Sequence, residues 1–347
     1  MVFSNSTSHL FKVPISQLEQ SLGYSDLACE WLAGDGSDRS YFRVRAPEQG
    51  KSWVLMQLGP ADEQMLKTND YCWPHLACYL LERGVKTPEI TRQWPEFGSI
   101  LIEDCGNETF ESRVFSYLKS DHKSKVADLY RQAFGMIGGF LSSPSDGEKP
   151  WTRRSFDREK FEQELHFFRS KYLQETLNLF LVPSDMKRFQ HECARLSEDL
   201  AKESRFLVHR DFHSRNIMIH DDELISIDFQ DARLGPASYD LVSLCFDPYI
   251  PFDFEFRLTL MSQGLSTLKG LCDPSILENI NRTWKNMALQ RLIKAVGSYG
   301  YIATKKNDPG WLEYVTPSLR MITALDSDDF LFLSKELPAK ILKLIHR

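Results

Sequence analysis

The sequence predicts an α+β protein of two lobes, a small β-rich N-terminal lobe and a larger, mainly helical C-terminal lobe. Three observations lead there. Strand-like alternation broken by turn signals fills the first hundred residues. Beyond Gly106 the apolar residues recur at helical spacing instead. The chain, at 347 residues, is also too long for one small core and comfortable for two. The change of pattern puts the lobes at residues 1–103 and 104–347. Two lobes imply a cleft, where ligands tend to bind.

Ala28 to Ala33 is a short apolar stretch, followed by the turn-rich cluster Gly34-Asp35-Gly36-Ser37-Asp38. Tyr41 to Arg45 alternates and carries aromatic and β-branched residues, so it reads as a strand. Pro47 to Gly50 is a turn, and Ser52 to Leu58 is a second strand stopped by Gly59-Pro60. The two strands form an antiparallel hairpin with the glycine-rich cluster at its leading end. Residues 63–83 are helical in character and end at Gly84, a plausible C′ glycine. Gly98 to Asp104 is a further apolar strand running into Cys105-Gly106.

In the second lobe Val126, Leu129, Ala133, Phe134, Ile137 and Leu141 form one helical stripe. Phe161, Leu165, Phe168, Tyr172 and, after a longer step, Leu177 form another, and Phe189, Cys193, Leu196 and Leu200 a third. Ser142 to Gly147 is a loop between helices. Phe206-Leu207-Val208 and Leu224 to Ile227 are short β-like interruptions, and helices return from about Tyr239 to the end.

Composition narrows the function. The chain is 42% hydrophobic and 26% charged, close to an average soluble protein, with a net charge of −6. No basic face suggests nucleic acid. The seven cysteines are scattered without a C-x-x-C pair, which fits a reducing cytosol rather than a zinc ribbon or a disulfide framework. Cys72 and His75 are two potential ligands, too few for a metal site. The N-terminus lacks a basic start and an apolar core, and no apolar run approaches a membrane span. The expectation is a cytoplasmic protein without a membrane or nucleic-acid partner.

The segment that carries chemistry is His209-Arg210-Asp211-Phe212-His213-Ser214-Arg215-Asn216, between the runs Phe206–Val208 and Ile217–Ile219. Asp228 follows twelve residues after Asn216, in Ile227-Asp228-Phe229-Gln230-Asp231. The pattern is H-x-D-x-x-x-x-N, a strand-like run, then D-F. Phosphoryl transfer needs little covalent help from a protein; it needs the acceptor hydroxyl oriented and the phosphate charge neutralised. Asp211 would take the hydrogen bond, and eventually the proton, of the acceptor. Asn216 would supply a neutral oxygen to Mg2+ and Asp228 a charged one, a donor set that suits this hard ion. His209 would hold the loop backbone.

The segment resembles the catalytic loop of protein kinases and, more closely, of the aminoglycoside phosphotransferase and choline kinase superfamily, whose small-molecule members often carry a His where this chain has His213. The resemblance implies a bilobal, protein-kinase-like fold that binds ATP and Mg2+ and takes a small-molecule alcohol or sugar as acceptor. Gly34 to Arg43 looks like the phosphate-covering hairpin, and Ile100 to Gly106 like the hinge that meets the adenine. It thereby implies nucleotide-binding roles for Ser37, Asp38, Arg39, Arg43, Glu103 and Asp104. Asp228-Phe-Gln-Asp-Ala, Gly235-Pro-Ala-Ser-Tyr-Asp-Leu241 and Gln290-Arg-Leu-Ile-Lys-Ala-Val-Gly297 are most similar to the bacterial N-acetylmuramate/N-acetylglucosamine kinases of cell-wall recycling, which act on an anomeric hydroxyl. The likeness spans roughly residues 30–325. Its rivals are an aminoglycoside- or choline-type alcohol kinase and a pseudokinase that binds nucleotide without turnover.

The chain departs from the kinase pattern in places. Met56 stands where kinases place a phosphate-binding Lys, and reads as core. Arg39 or Arg43 would take over, with Lys51 a poorer third. Gln230 replaces the Gly of D-F-G, which argues against a switching loop. Asp231 is either a second acid near the metal or a cap of the following segment. Asp240 would pin the catalytic loop, through Arg210. Asp247 either faces the acceptor, with Ser243, or ends the helix before Pro248. Gln290 and Lys294, at i and i+4 with Arg291 beside them, either line an acceptor pocket or form a solvated face.

Overall fold

The computed structural model describes residues 11–34, 39–142 and 149–345. The chain divides into two compact units, Met1–Glu108 with Met218–Gln230, and Thr109–Ile217 with Asp231–Arg347. The first therefore runs past residue 103 and takes in the stretch that carries Asp228. No described helix is long and apolar enough to cross a membrane.

In chain order the first unit begins with α1 (Ile15–Leu22), β1 (Ala28–Gly34), β2 (Ser40–Ala46), β3 (Lys51–Gln57), α2 (Pro60–Lys67), α3 (Cys72–Leu81), β4 (Ile90–Trp94) and β5 (Ser99–Glu103). The strands form one antiparallel sheet in the order β1-β2-β3-β5-β4. Tyr41 pairs with Met56, and Met56 with Ile100. Strand alternation then separates two faces. Phe42, Val44, Leu55 and Leu101 point to a core closed by Phe11, Leu18 and Trp94. Tyr41, Arg43, Val54 and Met56 point the other way, and Met56 is buried there at 1% exposure, as its apolar character demands.

Three features differ from the sequence expectation. The helical stretch 63–83 is two helices, because Asn69 takes a left-handed φ of 61° between them. The strand β4 was not foreseen: it lies at the sheet edge with Thr91, Arg92 and Gln93 exposed, so no apolar alternation marks it. The helix α1 was also unassigned, and only Leu18 of it is buried.

The second unit holds α4 (Phe110–Lys119), α5 (Lys123–Leu141), α6 (Arg158–Phe168), α7 (Pro183–Ala201) and β6 (Phe206–Val208). The hairpin of β7 (Ile217–His220) and β8 (Glu223–Ser226) follows and belongs almost wholly to the first unit. The second unit resumes with β9 (Arg233–Gly235), α8 (Ser238–Cys245), α9 (Phe254–Leu268), α10 (Pro274–Lys305), α11 (Val315–Ala324) and α12 (Leu337–Ile345). β6 and β9 pair antiparallel. The three apolar stripes fall on α5, α6 and α7. The longer step from Tyr172 to Leu177 has a cause: Arg169–Thr176 is a π-helix, and Leu177 N donates to Tyr172 O at 3.0 Å.

Helix α10 is the spine of this unit, with Met287 to Ile293 buried without interruption. Gly297 lets it approach the end of α6, since a Cβ there would lie 2.7 Å from Phe168 Cα. Such overlap with backbone cannot be relieved by a side-chain turn. Gly297→Ala should therefore lower stability by about 1–3 kcal/mol. Gly135→Ala, where a Cβ would meet nothing within 4 Å inside α5, should raise it by up to about 1 kcal/mol. Chemical denaturation of both variants checks the pair.

Candidate active site

The loop between β6 and β7 carries Asp211 and Asn216 within the second unit. Its entry is fixed by Asp240, near the start of α8 and 1% exposed. The Asp240 carboxylate accepts His209 N at 2.6 Å and Arg210 N at 3.1 Å. It thus meets the loop at two backbone amides and not at the Arg210 guanidinium. Burial pushes this carboxyl up to about 7 against the pull of the two amides. The His209 ring is buried beside Phe140 and Phe212, with centroids 5.6 and 5.4 Å away, so packing holds the ring while its amide holds the loop.

Arg210 takes a positive φ of 83°, a strained conformation for a side-chain-bearing residue. Its guanidinium reaches Asp231 at 3.5 Å, Glu164 at 3.8 Å and Asp211 at 3.9 Å. Lys294 Nζ donates to Asp211 Oδ1 at 2.7 Å, and Arg291 lies 3.8 Å from the same oxygen. Burial alone would push the Asp211 carboxyl up; Lys294, Arg210 and Arg291 outweigh it and hold the group well below the usual carboxylate range. A partly buried anion kept charged by three cations can accept a hydrogen bond from a hydroxyl.

Gln290, Arg291 and Lys294 are therefore not a solvated face. Gln290 donates to Glu164 at 2.9 Å, and Arg291 Nε to Ser243 Oγ at 2.8 Å. Lys294 and Arg291, expected at the acceptor, are engaged with Asp211 instead. Asp247, also expected there, is 1% exposed and accepts Ser214 N at 2.8 Å and Tyr249 N at 2.9 Å. It steadies the loop from behind, and buried Arg257 ties the carbonyls of Cys245, Asp247 and Ile250 around it. Asn216 Nδ2 donates to the Asp211 carbonyl at 3.0 Å, which turns the amide oxygen away from that carbonyl. Burial pushes the His213 imidazole down to about 3, so it is neutral.

Beside this loop lies an aromatic group that the sequence did not disclose. The Arg215 guanidinium sits 3.8 Å from the ring centre of Tyr249, 5.0 Å from Tyr314 and 5.6 Å from Trp311. Glu111 holds it with two contacts of 3.0 Å, and Tyr314 OH accepts at 2.8 Å. These residues come from separate helices and turns, so no spacing links them.

Within the first unit, Asp228 also has a positive φ, 61°. Gln230 donates to its carboxylate, and Phe229 stacks on Trp73 at 5.2 Å between centroids. Arg39, 9% exposed, donates to Asp62 at 3.0 Å and lies 3.6 Å from Asp228 Oδ1. Arg43 is turned elsewhere: it holds Asp104 at 2.7 and 2.9 Å and the Gly106 carbonyl at 2.9 Å. That pairing lowers the Asp104 carboxyl although burial opposes it. Glu103 accepts the Glu89 amide at 3.1 Å. Ser37 and Asp38 lie outside the described residues. Asp62 and Glu164 had no sequence signal, because a lone acid on a helix reads as solvated.

Comparison with known proteins bears on the family. The profile of the phosphotransferase enzyme family (APH) matches residues 30–271. A Neisseria meningitidis protein named N-acetylmuramate/N-acetylglucosamine kinase is 28% identical over 276 residues, 79% of this chain and 78% of its own. A Pseudomonas aeruginosa protein of the same name is 27% identical over 284 residues, 81% of this chain and 78% of its own. The fold is similar to that of a Plasmodium vivax ethanolamine kinase, with a TM-score of 0.60, 13% identity and coverage of 90% and 85% of the two chains. It is also similar to the gentamicin complex of APH(2")-IIa, with a TM-score of 0.59, 15% identity and coverage of 92% and 97%. Coverage of this breadth settles membership: the chain belongs to the phosphotransferase enzyme family, as a small-molecule kinase that phosphorylates hydroxyl groups.

Proposed function

We propose that the chain transfers the γ-phosphoryl group of ATP to the anomeric hydroxyl of an amino sugar of the N-acetylmuramate or N-acetylglucosamine type. The observation that carries the chemistry is the partly buried Asp211 carboxylate held ionised by Lys294, Arg210 and Arg291. Its role is to accept a hydrogen bond from the acceptor hydroxyl. As the oxygen–phosphorus bond to the sugar forms and the bond to ADP breaks, the hydroxyl proton passes to Asp211. Lys294 and Arg291 fix the carboxylate's direction.

Asn216 and Asp228 are the residues that would hold Mg2+. One amide oxygen and one carboxylate suit an ion that also takes phosphate oxygens and water. When bound, the ion neutralises phosphate charge. Both arginines are paired, but Arg39 lies 3.6 Å from Asp228 while Arg43 is turned to Asp104 and the Gly106 carbonyl, so Arg39 is the better-placed substitute for the lysine missing at Met56.

Two features support an amino sugar over the rivals. The carboxylates Asp211, Glu164 and Asp231 already face Arg210, Arg291 and Lys294 among them, which disfavours a polycationic aminoglycoside. The aromatic group Tyr249–Trp311–Tyr314 would suit a choline-like cation, yet Arg215 occupies it. The names of the Neisseria and Pseudomonas relatives then favour N-acetylated amino sugars. A cytoplasmic location accords with seven cysteines that are all free thiols.

Phosphorus NMR of the products from N-acetylmuramate and N-acetylglucosamine should show an anomeric phosphate. A 6-phosphate overturns the regiochemistry, and nucleotide binding without any sugar turnover favours the non-catalytic rival. Asp211→Asn should keep nucleotide binding and lower kcat by at least ~10²-fold; near-normal kcat removes Asp211 from the role of base. Arg39→Ala should raise the nucleotide KM about tenfold. Arg43→Ala should instead destabilise the protein by about 3–5 kcal/mol, because it strands the buried Asp104 carboxylate. Steady-state kinetics and denaturation of the two variants separate these effects.

A further inference from the structure

The second unit carries a basic cavity that the transfer chemistry does not use. It is an open cleft of about 550 Å3 lined by Arg153, Arg154, Lys160 and Arg233, with Asp157 and Glu159 as its acids. Asp157 is already committed, since it caps α6 by accepting Lys160 N at 2.7 Å. The two central arginines are placed by backbone: Leu234 N donates to Arg154 O at 2.9 Å, and Phe156 N to Leu234 O at 2.8 Å. This bonding sets Arg154 beside Arg233 as neighbours across a short ladder. The Arg233 guanidinium also lies 5.2 Å from the Phe156 ring centre.

Asp231 is a shared partner of these cations. Arg154 and Arg233 lie 3.6 and 3.7 Å from Asp231 Oδ1, while Arg210 lies 3.5 Å from Asp231 Oδ2. The Asp231 carboxylate is 40% exposed and divided among three guanidinium groups, so its pairs with Arg154 and Arg233 are weakly held, while Arg210 also reaches Glu164 and Asp211 and Arg233 donates to the Asp231 carbonyl at 3.1 Å. Burial, with Arg210 and Arg154 close by, holds Arg233 below the usual arginine range. Burial also lowers Lys160, and Arg210 and Arg233 add to it against the pull of Glu164. Like charges crowded in a concave wall are relieved by an anion.

We propose that this cavity binds a small molecule through an oxyanion, a carboxylate or a phosphate, held between Arg154 and Arg233 with Arg153 and Lys160 flanking it. The volume lies within the ~300–1,000 Å3 of small-molecule sites. Oxyanions also match the paired donors of guanidinium groups. An anion there competes with Asp231 for Arg154 and Arg233. Asp231 then bears more on Arg210, which lies 3.9 Å from Asp211. Occupancy of the cavity is in this way linked to the carboxylate at the centre of the transfer chemistry. Two sources supply the chemistry: a carboxylate on the acceptor itself, which rests on the amino-sugar reading, or free phosphate, which does not.

The test uses the full chain with a non-hydrolysable ATP analogue and Mg2+ bound, so that the nucleotide site is filled. Inorganic phosphate is titrated calorimetrically into the wild type, the Arg154→Gln/Arg233→Gln double variant and Arg153→Glu. In a separate assay with ATP in place of the analogue, KM is measured for N-acetylmuramate, which bears a carboxylate, and for N-acetylglucosamine, which does not. If the acceptor supplies the anion, the N-acetylmuramate KM rises about tenfold in the variants and the N-acetylglucosamine KM stays put. If free phosphate does, phosphate binds the wild type at least about tenfold more tightly than the variants, and alters turnover of both sugars in the wild type alone. Unchanged phosphate affinity together with unchanged KM for both sugars overturns the proposal. Should the double variant fail to fold, exposed Arg153 decides alone through its charge reversal. If neither sugar is phosphorylated while phosphate binding is lost in the variants, the amino-sugar reading falls and the cavity stands.

Discussion

A carboxylate partly withdrawn from water must be kept charged, and much of the second unit answers to that requirement. The side chain of Asp211 is 25% exposed, and its partial desolvation is costly unless cations accompany it. Lys294 and Arg291 arrive from one face of α10, and Arg210 from the neighbouring backbone position. Those cations in turn need partners, which are Glu164 on α6, Ser243 on α8 and Asp231 beside β9. Gly297 lets helix α10, with this polar face inward, lie close against Phe168. Placement of one acid thus constrains three helices.

The loop itself is held by carboxylates that do no chemistry. Asp240 takes two successive amides and Asp247 two more, and both are buried. An amide-to-carboxylate bond sets backbone position more tightly than a flexible side-chain pair would. It also offsets the strain of Arg210, whose positive φ accompanies the sharp entry to the loop. Asp228 shows the same arrangement in the first unit, with positive φ, a Gln230 contact and a stacked Phe229–Trp73 pair below it.

What the sequence disclosed and what it withheld divide along a physical line. Residues 209–216 and 228 were legible because a short loop forces fixed spacing. The strands β2, β3 and β5 were legible because each buries a row of apolar residues against one core. The edge strand β4 was not, since its exposed Thr91, Arg92 and Gln93 carry no alternation. The parting of Arg39 from Arg43 was equally hidden: both are strand-region arginines, and only the fold sends one to Asp62 and Asp228 and the other to Asp104. Glu164, Glu111 and Asp62 meet their partners across long stretches of chain, where periodicity says nothing.

The π-helix after α6 sets a limit on how this chain can vary in length. Each helical residue turns the chain by about 100°. The wide turn at Arg169–Thr176 holds one more residue than an α-turn and so rephases everything that follows. Tyr172 and Leu173 are buried, and Gly300 on α10 is hollowed to receive Tyr172, where a Cβ would meet its ring carbon at 2.9 Å. Loss of a single residue here would restore ordinary helix but swing the downstream side chains off α10. Length is therefore as closely specified as identity in this stretch, although none of its residues touches the chemistry.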